Sequence, residues 1–457
     1  MTKLAMIYPS RTKETHSEEL LYSPLALAYL GRHTPTHYTL TLYDEYVGDD
    51  VDPDTIDADI AAFSPITPGI ARAYELADAL RKRGIYCVGG GAHVTALPDE
   101  ALQHFDSIVE GEGEGPWKEF LRDYEAGTPQ SRYFGPMNVD LSTLGTPRRD
   151  LIHRNYEYPS ILTSRGCPYS CSFCYLTAFS QRRYRTIPLE TILADLDSIR
   201  HHPIVIVTDE NFIGYSEADR ADRRRLLEAM IERKYQFVWG CQTTVSLANE
   251  PELMDLMYRA GCRAVFIGFE AVTKAALKEV NKAQNVGVDY KDVIAKLHAH
   301  KLAVIASCIL GMDAHDKDYP AQLIQAMKDA KADFPRVFFM TAWPGTPLFE
   351  RLESEGRASR AWDTVRKDMP SIQFKHFTHD EAMAARKQIL DAFFNPWYVL
   401  LVISRWILID RSLFWLFLRM VLRNRVGERI KHWRVRLWKS KGPSAIVTAE
   451  PGQPART

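Results

Sequence analysis

The chain has 457 residues, 46% of them hydrophobic and 25% charged, enough for two or three domains with cores of their own. A formal net charge of −1 leaves no basic excess of the kind that nucleic-acid surfaces carry. Seven cysteines exclude a disulfide scaffold; three fall within eight residues, which fits a reducing, cytoplasmic compartment and one metal site.

The N-terminal MTKLAMIYPSRTKE lacks the apolar core of a secretory signal, and none is expected. Residues 1–130 alternate short apolar runs with helical segments. The spacing predicts strands at Lys3–Tyr8, Tyr38–Asp44, Ile60–Ser64, Ile85–Gly89 and Ser107–Glu110. Ile70–Gly84 reads as a helix stopped by its glycine. This rhythm predicts an α/β fold with a parallel, doubly wound, Rossmann-like sheet, which binds ligands at the carboxyl ends of its strands. Pro9, Ser64–Thr67, Gly89–His93 and Gly111–Gly115 stand at those ends. Residues 131–155 read as a linker.

From residue 156 to 345 the rhythm resumes. Strands are expected at Ser160–Thr163, Ile204–Thr208, Phe237–Cys241, Ala264–Phe269, Ala303–Leu310 and Val337–Thr341. Six such units predict a partial (β/α)6 barrel of the TIM type, with reacting groups on the loops after its strands. Residues 346–440 read as a helical C-terminal region and 441–457 as a disordered tail. Within the former, Asn395–Arg425 is rich in Trp, Leu and Phe but punctuated by arginines. No stretch reaches the ~18 uninterrupted apolar residues of a spanning helix. The pattern predicts helices on a membrane surface or over a lipophilic substrate, or packed on the barrel.

The segment Arg165–Leu176, RGCPYSCSFCYL, follows a predicted strand. Its Cys-x3-Cys-x2-Cys spacing lets Cys167, Cys171 and Cys174 offer three thiolates to a compact cluster. A [4Fe–4S] cubane held by three thiolates keeps one iron open for a substrate. Zinc more often takes paired Cys-x2-Cys groups and four ligands. Spacing, preceding strand and Phe173 inside the motif together resemble the radical S-adenosylmethionine (SAM) superfamily. The resemblance implies that SAM binds the open iron and is cleaved to a 5′-deoxyadenosyl radical, with electrons from a donor such as a flavodoxin or ferredoxin.

Later strand ends carry groups that suit SAM. TDENF (Thr208–Phe212) is similar to a D-x-N-F segment of the family's cobalamin-binding branch, and Asp209 and Asn211 are candidates to hold the SAM amino group or line the site. A helix cap or Asx turn is the plain alternative for either. Gln242 and Thr243 end the third barrel strand. Glu270 ends the fourth after four apolar positions, where an unpaired carboxylate is costly to bury. It is expected at the barrel mouth, on the SAM ribose or amino group, or else in a salt bridge. NKAQN (Asn281–Asn285) and the PGTPL turn also match family habits, and Gly311 permits close approach of a nucleoside. Cys241, Cys262 and Cys308 read as core residues.

A doubly wound domain before such a barrel resembles the cobalamin domain of class B radical SAM enzymes. The likeness runs through PLALAYL, FSPIT, GGGAHVTALPDE and VEGEGEGPW. It is strongest to the group containing the anaerobic magnesium-protoporphyrin ester cyclase and C-methyltransferases. The resemblance implies that Ser64, Thr67, Gly89, Gly90, Gly91 and Glu112 contact cobalamin. The Asp-x-His-x-x-Gly signature is absent; Asp44–Asp49 holds no His, so no cobalt ligand is expected there, and His93 reads as a loop residue. The expected function is cobalamin-dependent C-methylation of an unactivated carbon in a small molecule. The alternatives are an oxidative cyclase acting on a lipophilic or tetrapyrrole-like substrate and a non-catalytic iron–sulfur or cobalamin sensor.

Overall fold

A computed structural model describes residues 1–10, 23–49, 51–154, 156, 158–179, 182–365 and 369–409. The expected tail and residues 410–440 of the expected helical C-terminal region lie outside the described residues. Contacts divide the chain into units 1–400 and 401–457.

The first unit holds two six-stranded parallel sheets. The N-terminal sheet contains β1 (Lys3–Tyr8), β2 (Thr39–Asp44), β3 (Ile60–Phe63), β4 (Tyr86–Gly90), β5 (Ser107–Glu110) and β6 (Arg132–Phe134), in the order β2-β1-β3-β4-β5-β6. The strand order reverses between β1 and β3, which is the crevice where doubly wound sheets hold ligands. β6 is a departure from the expected linker: three residues at the sheet edge pair with Ile108–Glu110, too few for their alternation to register. One face of this sheet is sealed by Leu4, Met6, Ile60 and Val88 against Trp117, Phe120 and Leu121. The fully buried indole of Trp117 donates to Thr34 Oγ1 at 2.9 Å, so its polar edge is not left unpaired.

Next come β7 (Ser160–Ile161), β8 (Ser164–Arg165), β9 (Arg185–Thr186), β10 (Ile204–Val207), β11 (Val238–Thr243), β12 (Cys262–Glu270), β13 (Ala303–Leu310) and β14 (Phe334–Phe339). β8 and β9 form a separate antiparallel pair. The other six form the second sheet in the sequential order β7-β10-β11-β12-β13-β14, the wall of a partial barrel. The last strand sits three residues earlier than the apolar pattern suggested. Pro335 falls within it, which an edge strand tolerates because no neighbour needs its N–H. Cys241, Cys262 and Cys308 are buried in these strands.

Candidate active site at the strand ends of the second sheet

β7 delivers the chain to Thr163, and β8 then leads through Gly166 into the cysteine loop. Asp209, at the end of β10, fixes this approach. Its Oδ1 accepts the Thr163 N–H at 2.6 Å, and Oδ2 accepts the hydroxyls of Thr163 and Ser164. The Arg223 guanidinium lies 3.6 Å away, and both side chains are fully buried. Burial pushes the Asp209 carboxyl above its ordinary range, opposed by Arg223 and the hydroxyls. Every oxygen is therefore engaged within the protein, and Asp209 is corrected from a SAM ligand to a support of the loop.

The next carboxylate, Glu210, had not been singled out. It accepts the Gly166 N–H at 3.1 Å, immediately before Cys167. Burial raises its pKa to about 7. Asn211 is wholly buried; its Nδ2 donates to Gly214 O at 3.0 Å, while its Oδ1 has no partner. Thr243 Oγ1, ending β11, and Asn285 Oδ1, in the NKAQN turn that folds back to the carbonyls of Gly268 and Phe269 at the end of β12, are also buried and unpaired. Three orphaned acceptors at or just beyond the ends of successive strands are costly unless a ligand supplies donors. Gln242 is exposed at the end of β11, and its carbonyl accepts the Phe212 N–H.

The cysteine loop is tied from three directions. Cys174 N–H donates to Cys171 O at 3.1 Å, and the Thr177 hydroxyl donates to the same carbonyl at 2.9 Å. Ser172 N–H donates to Val280 O, and Asn281 Nδ2 donates to Ser170 O and Oγ at 2.9 Å. From the PGTPL turn, Leu348 N–H donates to Ser172 O. Gln284 Nε2 reaches the sulfur of Cys171 at 3.8 Å. The NKAQN and PGTPL segments thus act as braces on the loop. Phe173 is half-buried inside it.

None of the three cysteines is held in a disulfide. Burial pushes each of them up, Cys174 to about 12; neighbouring thiolates add to this at Cys167 and Cys174, and Lys282 opposes it at all three. Lys282 Nζ lies 3.0 Å from Glu270 Oε1, both groups buried. Burial works against the lysine charge, but Glu270 and the thiolates hold it on and raise its pKa overall. Of the two roles expected for Glu270, the salt bridge is the one the geometry forms. A Cβ at Gly268 would lie 2.2 Å from Glu270 Oε1, so only glycine leaves room for it. Among the described residues no three Cys, His, Asp or Glu side chains converge as ligands of a single ion. Three thiols on one loop thus stand beside a buried cation. Replacing the cation with Met should shift the cluster potential negative by on the order of tens of millivolts. A redox titration of reconstituted Lys282→Met that matched the parent would remove this electrostatic role.

Gly311, expected beneath a nucleoside, has a different purpose. A Cβ there would meet the Phe374 ring at 2.4 Å, and its φ of +99° also favours glycine. Phe374 arrives from the segment after the barrel and covers that strand end.

In the first sheet, Ser64, Gly90 and Gly91 are half-buried at the carboxyl ends of β3 and β4. Thr67 is buried with its hydroxyl 3.2 Å from His93 Nδ1. His93 lies in the helix Ala92–Ala96, not in a loop, and its Nε2 is 3.4 Å from Glu100. Two of the expected cobalamin contacts have neighbours within the protein. Gly89 is packed against Phe105, whose ring would lie 2.4 Å from an added Cβ. Gly89→Ala should therefore cost about 1–3 kcal/mol in a denaturation experiment on the cofactor-free protein; an unchanged midpoint would return Gly89 to the ligand rim. Glu112 accepts Val139 N–H and Arg185 Nη1, each at 2.8 Å, and faces Arg165 at 3.8 Å. Glu114 pairs with Arg165 at 2.6 Å. These carboxylates join the first sheet's loops to the strand pair that carries the cysteine loop.

The family model of the radical SAM superfamily matches residues 161–327, the span from β7 through the cysteine loop to beyond β13. The chain carries a radical SAM domain. A radical SAM domain implies a [4Fe–4S] cluster and SAM, and the matched span contains the cysteine loop. The chain is 27% identical over 343 residues to bacteriochlorophyllide d C-12(1)-methyltransferase of Chlorobaculum tepidum, covering 73% of this chain and 74% of that protein. It is also 27% identical to the anaerobic magnesium-protoporphyrin IX monomethyl ester cyclase of Cereibacter sphaeroides, over 65% and 53% of the two chains. The methyltransferase TsrM from Kitasatospora setae, solved with cobalamin and a [4Fe–4S] cluster, superposes with a TM-score of 0.65 at 16% identity. The likeness spans 90% of this chain and 91% of that one, so the radical SAM domain and the sheet before it share one architecture with TsrM.

Proposed function

We propose that this radical SAM enzyme is a cobalamin-dependent C-methyltransferase acting on an unactivated carbon of a small molecule. The carrying observation is the trio of braced thiols beside Lys282, with orphaned acceptors Asn211 Oδ1, Thr243 Oγ1 and Asn285 Oδ1 near the strand ends around them. When bound, the cluster supplies reductive cleavage of SAM and cobalamin supplies a transferable methyl group. The chain's own part is binding and placement. Cys167, Cys171 and Cys174 leave one iron open, and the orphaned acceptors suit the amino and hydroxyl donors of SAM. Glu112 and Glu114 hold Arg185 and Arg165, which keeps the first sheet's ligand rim registered to the cysteine loop.

The first sheet fits a corrinoid held without a histidine. Ser64, Gly90 and Gly91 form a small-residue rim beside the β1–β3 crevice, and a Cβ at Gly91 would lie 3.3 Å from Ser64 Oγ. Asp44 takes the place where a His-bearing loop would start, and it is buried against Tyr156. His93 is committed to Thr67 and Glu100.

The methyltransferase name of the Chlorobaculum relative favours methyl transfer, and the cyclase relative keeps oxidative ring closure as a second reading. Both relatives are named for tetrapyrroles, so a lipophilic or tetrapyrrole-like substrate is included. The reading also includes a flavodoxin or ferredoxin as electron donor and peripheral membrane contact through residues 395–425. Anaerobic reconstitution with both cofactors, SAM and reductant tests it. Methyl transfer yields S-adenosylhomocysteine alongside 5′-deoxyadenosine; the cyclase route yields no S-adenosylhomocysteine. Intact SAM after reduction would leave only a sensor.

A further inference from the structure

The helix Pro396–Ile409 is apolar on nearly every side, yet its faces are treated differently. Tyr398, Val402 and Trp406, at i, i+4 and i+8, are buried. Trp397, Leu400, Leu401 and Leu408 share another face and are 82%, 57%, 51% and 86% exposed. Phe394, just before the helix, is 50% exposed. A contiguous exposed apolar strip of this kind marks an interaction surface. No helix among the described residues is long and apolar enough to cross a membrane, so this strip suits a surface rather than a span.

The sequence says which surface. Residues 405–441 hold eleven Lys and Arg against Asp410 and Glu428, a surplus of nine positive charges in 37 residues of a chain whose net charge is −1. Trp415, Trp433 and Trp438 are interleaved with them. Arg and Trp together suit the headgroup layer of a bilayer, and bare aliphatic side chains favour hydrocarbon over a nucleic-acid groove. Resting on the membrane contact in the proposed function, we infer that Trp397, Leu400, Leu401 and Leu408 insert at the headgroup boundary of an anionic bilayer. The basic residues of 405–441 supply the attraction to its charge.

The test sediments the reconstituted full-length enzyme with vesicles of phosphatidylcholine, alone or with about 30% phosphatidylglycerol. Binding at least about tenfold stronger to the anionic vesicles is expected, weakening as salt rises from about 0.1 to 1 M. Leu400→Glu/Leu408→Glu should lower partition at least about tenfold while 5′-deoxyadenosine formation in vesicle-free buffer is unchanged. Arg419→Glu/Arg423→Glu, which leaves the helix untouched, should show a similar loss and keeps the test decisive if the first variant does not fold. Equal binding to both vesicle types overturns the anionic-lipid inference but spares membrane contact; binding to neither overturns both. Retention on duplex DNA instead of vesicles, or a dimer in light scattering that Leu400→Glu/Leu408→Glu dissolves, overturns the inference in favour of those partners.

Discussion

Cys171→Ala is expected to lose bound iron and sulfide and to lower 5′-deoxyadenosine formation by on the order of 10³-fold or more, equivalent to at least about 4 kcal/mol in barrier. Cys171 is the middle thiol of the loop, buried to 6% exposure, and its sulfur and carbonyl receive Gln284 Nε2 and Thr177 Oγ1. With two thiolates remaining, a cubane has two open corners and no fixed orientation toward the orphaned acceptors. Cys167→Ala and Cys174→Ala should do the same. The control is Cys308→Ala. Cys308 is equally buried and free, and burial pushes its thiol up as well. It lies in mid-strand on β13 and should keep full iron content. Iron, sulfide and 5′-deoxyadenosine are measured on each variant after identical anaerobic reconstitution. A Cys171→Ala protein that still cleaved SAM at the parental rate would dismiss the cluster assignment. Retention of one zinc per chain with no iron in the parent protein would do so equally.

Much of this site is legible along the sequence because its chemistry is local. Three thiolates within eight residues need no tertiary information, and parallel strands buried on both faces show as apolar runs. The distant partners are not legible. Glu112 stands on a loop end that suits a ligand rim, but its guanidinium, Arg185, is 73 residues away in sequence. Gly311 looks like room for a nucleoside until Phe374 is seen to fill that room. Glu270 could be weighed as ligand or ion pair, yet Lys282 lies inside NKAQN, where one cation among polar residues carries no mark. Glu210 occupies the variable position between Asp209 and Asn211 in the D-x-N-F pattern. Its contact is with a backbone N–H, which no side-chain pattern encodes. In each case the residue type was right for two roles and only the fold chose between them.

Asp209→Ala is expected to destabilise the cofactor-free protein by about 3–5 kcal/mol, because it leaves the Arg223 guanidinium buried and unpaired. Arg223 is 1% exposed and cannot shed its charge to escape, as a buried lysine would. The substitution also orphans the Thr163 N–H and the Ser164 hydroxyl, both of which donate to Asp209. Asp209→Asn should cost less, since an amide oxygen can still accept from Thr163. Chemical denaturation before reconstitution reads this cost without the cluster. Removing both charges as Asp209→Leu/Arg223→Met should recover part of the lost stability, because replacing a buried pair by apolar groups is often neutral. It should not recover cluster retention, since no acceptor then holds Thr163 and Ser164, two residues that set the direction of the chain into Cys167. Recovery of stability without recovery of the cluster is the signature of a loop support. If Asp209→Ala unfolded at the parental denaturant midpoint, the carboxylate would be free for a ligand after all. If the double variant regained both properties, the Thr163–Ser164 turn would not depend on Asp209.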